Sequence, residues 1–254
     1  RGGEVHNFWQ DEKHERGVWR KSSLTSYLSD SPVWETVLDF DELSKSENKN
    51  WVYKGNNCLG PDYELCIVSL SDGGKDAVVN REFNTKTKSF VKNGFITKES
   101  KSSMDWIDKD TTIIGVDFGE NTMTDSGYPM VSKVWKRGTP LSSAVEIDRG
   151  EKADVGYWGG VSELTNGRRE IITTRALTFY NTEYYWFPRK SDGSIGEKVK
   201  LPVPEKSSIN GEFKGQVLLK LNEDWRGFKS GDLVSYNNDD FMKDGKIEQV
   251  NLVF

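Results

Sequence analysis

The chain has 254 residues, a formal net charge of -5 and a sequence pI near 5.3. Acidic and basic side chains are interspersed along the whole chain, so no basic stripe is available to neutralise phosphates, which argues against a nucleic-acid partner. No segment approaches the roughly 20 apolar residues that a membrane-spanning helix needs. Aromatic residues make up 12% of the chain and occur in short runs between Gly, Asn, Asp and Ser clusters, which favours an all-β protein.

The segment Asn7 to Leu43 predicts the first β-hairpin and carries three of the nine tryptophans. Its strands are Gly17 to Leu28 and Pro32 to Phe40, joined by a Ser-Asp-Ser-Pro turn. The alternating pattern puts four side chains of the second strand on the predicted core face: Trp34, Thr36, Leu38 and Phe40.

Four short strands follow within about 40 residues, which is typical of one antiparallel sheet. They are Trp51 to Lys54, Tyr63 to Leu70, Ala77 to Phe83 and Ser89 to Val91. The Ser71 to Lys75 turn (SDGGK) precedes a strand and not a helix, so it is a hairpin turn and not a phosphate-binding loop.

The pattern of short strands restarts near Ser102, Asp154 and Glu205. The predicted strands are Met104 to Ile107, Thr111 to Asp117, Tyr128 to Arg137, Ala144 to Asp148, Val155 to Glu163, Arg169 to Ala176, Thr178 to Pro188, Glu197 to Leu201, Gln216 to Leu221, Asp232 to Asn237 and Glu248 to Phe254.

Three tryptophans mark an internal repeat. Trp51 and Trp106 are 55 residues apart, Trp106 and Trp158 are 52 apart, and each lies in the first strand of its unit. A period near 50 with four strands per period indicates a β-propeller, and we expect these tryptophans to pack between blades. The approximate blades are 1–44 (incomplete), 49–92, 102–149, 154–203 and 205–254.

Cys58 and Cys66 are the only two cysteines. The loop between them allows a disulfide, but two cysteines do not form a dense disulfide framework, so we expect free thiols.

Several segments resemble the N-terminal propeller of bacterial prolyl oligopeptidases. They are NFWQD at Asn7 to Asp11, GVWR at Gly17 to Arg20, SPVWETVLDFDEL at Ser31 to Leu43, VSLSDGGKDAVVNREFNTKTKSF at Val68 to Phe90, KSSMDW at Lys101 to Trp106, DFG at Asp117 to Gly119, TDSGYP at Thr124 to Pro129, VWKRGTPL at Val134 to Leu141, GDLVSYN at Gly231 to Asn237 and the closing NLVF. The resemblance implies a seven-bladed propeller, of which about five blades are present as an incomplete ring, and a separate α/β-hydrolase domain with a Ser, Asp and His triad.

In that family the propeller restricts access to the active site of a serine peptidase that cleaves short peptides after proline. The resemblance therefore implies a substrate-gating propeller fragment, with short proline-containing peptides and the α/β-hydrolase domain as its partners. It also implies a cytoplasmic location, with the periplasm as an alternative, and no cofactor. Since the sequence begins with Arg1 and matches only the propeller, we expect a processed or excised piece.

No catalytic residue is predicted in this chain. A nucleophile elbow needs Gly-x-Ser-x-Gly, which does not occur, and Gly193 to Gly196 has the wrong spacing. We expect His6 and His14 to be solvated surface residues. Three carboxylate pairs are attributed to strand alternation or turns, so no metal site is predicted: Asp39 with Asp41, Asp108 with Asp110, and Asp239 with Asp240.

The resemblance places four residues on surfaces that face the hydrolase domain or the substrate cavity. Asp62 lies where the family has a turn that contacts the peptidase domain, and Lys101, Ser102 and Ser103 lie where family members present side chains toward the substrate. Ordinary loops that only connect strands are the alternative for both.

Two other functions stay open at this point. A free-standing propeller or β-sandwich would bind a protein or a glycan through aromatic residues such as those of FYNTEYYWF at Phe179 to Phe187, and a glycosidase propeller would use paired carboxylates. Uncovered blade faces and sheet edges also predict self-association.

Overall fold

A computed structural model describes residues 2–254 of the chain. The chain forms two compact units. The first contains residues 2–102 and 136–140, and the second contains residues 103–135 and 141–254. Within residues 2–254, none of the helices has the length and apolar character needed to cross a bilayer.

The first sheet of the first unit has three antiparallel strands: β1 (Glu4–Trp9), β2 (Val18–Ser23) and β3 (Glu35–Asp39). A one-turn helix, α1 (Leu24–Tyr27), follows β2. A longer helix, α2 (Phe40–Glu47), follows β3 because Asp39 caps it, accepting hydrogen bonds from the backbone N–H groups of Asp41 and Glu42.

The predicted core face of β3 is wrong in part. Val37, assigned to the other face, is 3% exposed, whereas Trp34 is half-buried and Thr36 is exposed. The pairing of β2 with β3 skips Val37, since Trp19 is opposite Leu38 and Arg20 is opposite Thr36. This bulge reverses the alternation of side chains along the strand, which the sequence pattern alone does not reveal.

The second sheet has four antiparallel strands in chain order: β4 (Trp51–Cys58), β5 (Leu65–Asp72), β6 (Val79–Asn84) and β7 (Ser89–Phe90). The turn after β5 contains Gly73 and Gly74, with φ of +82° and +83°. Two successive positive φ angles are unfavourable for residues with a Cβ, which explains the SDGGK sequence.

The prediction of free thiols is wrong, because Cys58 and Cys66 form a disulfide. The two residues are direct cross-strand partners in the register of β4 and β5, with 3.9 Å between their Cα atoms. The antiparallel register therefore brings the two thiols together, and the sequence spacing of eight residues could not show that register.

The core of the first unit lies between its two sheets. Trp19 and Val37 from the first sheet pack with Trp51, Val68 and Phe83 from the second. Trp51 is 6% exposed, so its predicted packing role is confirmed. Stacking the sheet faces buries apolar surface that neither sheet buries alone.

The second unit contains three four-stranded antiparallel sheets. The third sheet of the chain is β8 (Ser103–Asp108), β9 (Thr111–Gly115), β10 (Val131–Lys136) and β11 (Val145–Arg149), with a short 3-10 helix at Leu141–Ser143. The fourth is β12 (Gly156–Glu163), β13 (Arg169–Ala176), β14 (Thr182–Phe187) and β15 (Val199–Lys200). The fifth is β16 (Ser207–Phe213), β17 (Gln216–Leu221), β18 (Leu233–Asn237) and β19 (Asn251–Leu252), with helix α3 (Asn238–Asp244) between β18 and β19.

The cores of the second unit also lie between successive sheets. Ile107 and Ile113 of the third sheet pack with Ile171 and Phe187 of the fourth. The other face of the fourth sheet packs on the fifth sheet and α3, through residues that include Tyr184, Trp186, Val217, Tyr236 and Phe241. Each sheet is therefore one blade-like layer with an apolar neighbour.

The prediction of an all-β propeller, built from four-stranded sheets that repeat about every 50 residues, is confirmed. The first sheet differs from the others in having three strands. Trp106 is fully buried, as predicted, but Trp158 is only partly buried and its indole contacts Tyr128 edge-on. Strands β1 and β16 and helix α3 lie outside the predicted elements. The predicted strand Gly17 to Leu28 is wrong at its end, where the chain forms α1 (Leu24–Tyr27), and α2 begins at Phe40, the last residue of the predicted strand Pro32 to Phe40.

Candidate functional site

The main candidate site is a cavity of about 390 Å³ in the second unit, formed by the third, fourth and fifth sheets and α3. Most of its wall is apolar or aromatic. The residues of that wall are Trp158, Val161, Ile172, Tyr184, Leu201, Ile209, Val217, Tyr236 and Met242. Five polar side chains also line it: Asp105, Ser162, Thr174, Glu212 and Asn238. An apolar cavity with a few convergent polar groups is the usual form of a small-molecule site.

A bulge in β16 positions one of these polar groups. Ile209 and Glu212 are three residues apart, so a regular strand would direct them to opposite faces. The pairing with β17 skips Asn210, between Ile209 and Gly211, and this extra residue lets both side chains line the same cavity.

Three polar side chains form a hydrogen-bonded chain. The Asn238 amide donates to the Ser162 hydroxyl at 2.7 Å, and the Ser162 hydroxyl donates to Oε1 of Glu212 at 2.5 Å. Ser162 and Asn238 are 5% and 2% exposed. Glu212 as a residue is exposed, but its carboxyl turns toward these two buried groups. The hydrogen bond from Ser162, itself supported by Asn238, therefore fixes the orientation of the Glu212 carboxyl.

The electrostatic environment of the cavity disfavours negative charge. Burial raises the pKa of the Glu212 carboxyl, the hydrogen bond from Ser162 opposes that shift, and the charges of Asp239 and Glu163 add to it. Burial also raises the pKa of the Tyr236 phenol, and the nearby Glu212 carboxyl adds to that effect. Glu212 and Tyr236 therefore lie close enough for the charge of the carboxylate to affect the pKa of the phenol.

A second carboxylate lines the cavity from β8. Asp105 accepts a hydrogen bond from the backbone N–H of Val161 at 2.8 Å, so it links β8 to β12. Its other oxygen accepts from the N–H of Trp106 at 2.7 Å. Gly160 lies beside it, since a Cβ there would come within 3.7 Å of Asp105 Oδ2. Asp105 therefore has a structural role as well as a place in the wall.

The four residues predicted to face the hydrolase domain or substrate lie outside this cavity. Asp62 is exposed in the turn after β4. Lys101 pairs with Asp76 at 3.7 Å, and the Ser102 hydroxyl accepts a hydrogen bond from the Asn80 amide at 2.8 Å. Ser103, which begins β8, has a buried hydroxyl without a hydrogen-bond partner among the described residues. The structure leaves their predicted role as a prediction.

The prediction of a surface role is wrong for His6. Its side chain is 13% exposed, its Nδ1 accepts a hydrogen bond from Trp19 Nε1 at 3.1 Å, and its Nε2 lies 3.4 Å from Glu4. The reason is strand β1, which carries His6 next to β2 and over Trp19. The His14 side chain is 33% exposed, and its Nδ1 lies 2.9 Å from Asp11 Oδ1. His14 therefore agrees better than His6 with the predicted surface role.

The paired carboxylates have structural partners. Asp39 caps α2, and Asp41 accepts from the backbone N–H of Arg16. Asp108 accepts from the N–H of Asp110 within the turn after β8, and Asp239 accepts from the N–H of Thr165. Over residues 2–254, no group of three or more His, Cys, Asp or Glu side chains is arranged to hold a metal ion.

Sequence reasoning missed the cavity residues. Ser162, Glu212 and Asn238 are separated by 50 and 26 residues, and no motif links them. One available signal is the Gly159-Gly160 pair in a strand, which marks a close approach of another element.

Residues 1–245 match the family model of the prolyl oligopeptidase N-terminal β-propeller domain. An uncharacterized peptidase of Sinorhizobium fredii (strain NBRC 101917 / NGR234) is 44% identical over 230 residues, which are 90% of this chain and 31% of that protein. An uncharacterized peptidase of Rickettsia prowazekii (strain Madrid E) is 32% identical over 258 residues, which are 96% of this chain and 35% of that protein.

A solved structure of a post-proline cleaving enzyme from Rickettsia typhi superposes with a TM-score of 0.89 at 30% identity. The alignment covers 100% of this chain and 38% of that one. The chain therefore spans about a third of the length of the relatives that it matches. The chain belongs to the prolyl oligopeptidase family and corresponds to its N-terminal β-propeller domain.

Proposed function

We propose that this chain is the substrate-gating propeller of a serine peptidase that cleaves short peptides after proline. The observation that carries the proposal is the superposition on the post-proline cleaving enzyme of Rickettsia typhi, at a TM-score of 0.89 and 30% identity. A layer of packed sheets excludes folded proteins from an active site and limits the access of water, while short peptides pass.

The chain alone is expected to be non-catalytic. It has no Gly-x-Ser-x-Gly pentapeptide to expose a nucleophilic serine, so the α/β-hydrolase domain of the family is its proposed partner. We propose that Asp62 and the Lys101 to Ser103 segment contribute to the surfaces that face that domain and the substrate.

The test uses the complete polypeptide to which this chain belongs. A fluorogenic dipeptide with proline before the scissile bond should be cleaved, and the same compound with alanine or arginine at that position should be cleaved at least about a hundredfold more slowly. A proline-containing sequence should be cut as a free peptide but not within a loop of a folded protein. Equal cleavage of all three compounds, or of the folded substrate, would overturn the proposal.

A second candidate function has one observation in its favour. Phe179 and Tyr180, in the turn after β13, are 87% and 81% exposed, whereas Tyr184, Trp186 and Phe187 of the same aromatic run are buried. A free-standing module would use such exposed rings to bind a protein or a glycan. Binding of a glycan or protein that is lost in a Phe179→Ala, Tyr180→Ala double variant would support this candidate.

Self-association and a cytoplasmic location stay predictions. The outer strands β7, β15 and β19 have only two residues each, which limits pairing through those edges. Association would then use the five-residue edge strand β11 or exposed apolar side chains such as Phe213. Light scattering across a concentration series measures it directly, and a constant monomeric mass would contradict it.

A further inference from the structure

We propose that the cavity of the second unit binds a small organic cation, in which a primary ammonium group carried on an aromatic or apolar body pairs with Glu212. This site is independent of the peptidase role proposed above. All of its described lining residues belong to the second unit.

The charge of the cavity is the first argument. Asp105 and Glu212 both line it, and none of its described lining residues is a Lys or Arg. No ion pair joins Glu212 to a described Lys or Arg, and its charged neighbours, Asp239 and Glu163, are acidic. A bound ammonium group would offset the negative charge of the Glu212 carboxylate, which is a stronger effect in a partly desolvated site than in water.

The fixed orientation of the carboxyl is the second argument. Ser162 donates to Oε1 of Glu212, and Asn238 donates to Ser162. Both supporting side chains are buried, so this oxygen is already held in place before a ligand arrives. The second oxygen, Oε2, has no hydrogen-bond donor among the described residues and is available to accept from an ammonium N–H.

Tyr236 provides an independent observation. Its side chain is 1% exposed and lines the cavity, yet its hydroxyl makes no hydrogen bond with any residue in 2–254. This hydroxyl is not one of the fully buried polar atoms that lack a partner, so it is accessible to a group that enters the cavity. A primary ammonium has three N–H donors, so it can serve the Glu212 carboxylate and the phenol oxygen together, whereas a quaternary ammonium cannot.

The remaining wall determines the rest of the ligand. Trp158, Tyr184 and Tyr236 offer aromatic surfaces, and Ile172, Val217 and Met242 are among the aliphatic and thioether groups. A cavity of about 390 Å³ is at the small end of ligand pockets. It accommodates a body of about the size of a phenylethyl group, and apolar contact with that body would supplement the charge pairing.

The experiment measures binding of 2-phenylethylammonium to the chain by isothermal titration calorimetry at pH 7.5. Its neutral analogue, 2-phenylethanol, has the same aromatic body and a hydroxyl in place of the ammonium group. We expect saturable binding of the amine at one site and at least about tenfold weaker binding of the alcohol. No saturable binding of the amine, or equal binding of the two probes, would overturn the proposal.

Three variants localise the binding. Glu212→Gln keeps the hydrogen bond from Ser162 and should weaken amine binding at least about tenfold while leaving alcohol binding unchanged. Tyr236→Phe should weaken amine binding several-fold. Glu120→Gln is the matched control, because it removes one exposed carboxylate of the second unit far from any described partner, and it should bind like the wild type.

Circular dichroism and thermal melts separate a folding defect from a loss of binding. If all variants fold and Glu212→Gln binds the amine as tightly as the wild type, the assignment of the ammonium to Glu212 is wrong. If Glu120→Gln weakens binding as much as Glu212→Gln, the effect is net charge and not a site, and the proposal is also wrong.

Discussion

Glu82 and Arg137 form a bidentate ion pair in the first unit, with both N to O distances at 2.8 Å. The Glu82 side chain is 1% exposed and that of Arg137 is 26% exposed. Glu82 also accepts a hydrogen bond from the N–H of Phe95, and the Arg137 guanidinium lies 4.8 Å from the Phe95 ring centroid. The pair thus connects residues 136–140 to β6.

Arg137→Ala should destabilise the chain by about 2 to 3 kcal/mol, because it leaves the buried Glu82 carboxylate without its cation. Arg137→Lys should recover only part of this loss, since a lysine cannot make two parallel hydrogen bonds to one carboxylate. Urea denaturation followed by tryptophan fluorescence measures both effects.

An exposed pair is the control for this prediction. Lys229 lies 2.7 Å from Asp224, but both side chains are well exposed, at 75% and 59%. Lys229→Ala should leave the denaturation midpoint unchanged, because solvent screens such pairs. Equal effects of the Lys229 and Arg137 variants would show that burial does not determine the strength of these ion pairs.

The sequence was sufficient for the fold class because the Trp spacing and the strand and turn pattern are local signals. Strands β13 and β17 have the predicted bounds, Arg169–Ala176 and Gln216–Leu221. Neither strand has a bulge of its own in its pairings, and buried and partly buried residues alternate regularly along β17.

The features that the sequence did not reveal depend on register or on contacts between distant segments. The bulges at Val37 and Asn210 change which side chains face inward, although each adds only one residue to a strand. The Cys58 to Cys66 pairing and the Ser162 to Glu212 hydrogen bond likewise follow from strand pairing and sheet stacking. No periodicity in one segment encodes such pairs.

Gly159→Ala should destabilise the second unit by about 1 to 3 kcal/mol. A Cβ at this position would overlap the Cγ1 and Cδ1 atoms of Ile113, which is fully buried, so the two cannot separate without a shift of the core. Gly160→Ala is the matched control, because its nearest atom would be Asp105 Oδ2 at 3.7 Å, an ordinary contact distance.

The second-site variant Ile113→Ala tests whether overlap is the cause, because it removes both Cγ1 and Cδ1. The double variant should be more stable than the sum of the two single effects predicts. Thermal unfolding of the four proteins measures this coupling. Additive effects would indicate that Gly159 is required for a reason other than close approach to Ile113.

The Cys58 to Cys66 disulfide should be present in chain purified without reductant. Ellman's reagent should detect no reactive thiol under denaturing conditions, and two thiols after reduction. Because the closed loop is short, the chain-entropy model gives a stabilisation of about 2.5 kcal/mol. A Cys58→Ser, Cys66→Ser variant should therefore have a lower denaturation midpoint than the oxidised wild type, and the same midpoint as the reduced wild type.

The Glu212 carboxyl should make stability depend on pH in a direction opposite to that of an ordinary paired carboxylate. Burial raises its pKa in the folded state, so the folded state binds the proton more tightly than the unfolded state. Its favourable contribution is complete below the unfolded pKa, near 4.3, and is lost as the pH rises through the higher folded pKa.

Glu212→Gln removes this titration, so the stability of the variant relative to wild type should increase between about pH 4 and pH 7. Urea denaturation of both proteins at several pH values measures the difference, in which the other titrating groups cancel. Glu120→Gln should show a constant difference over the same range, and a constant difference for Glu212→Gln would contradict the raised pKa.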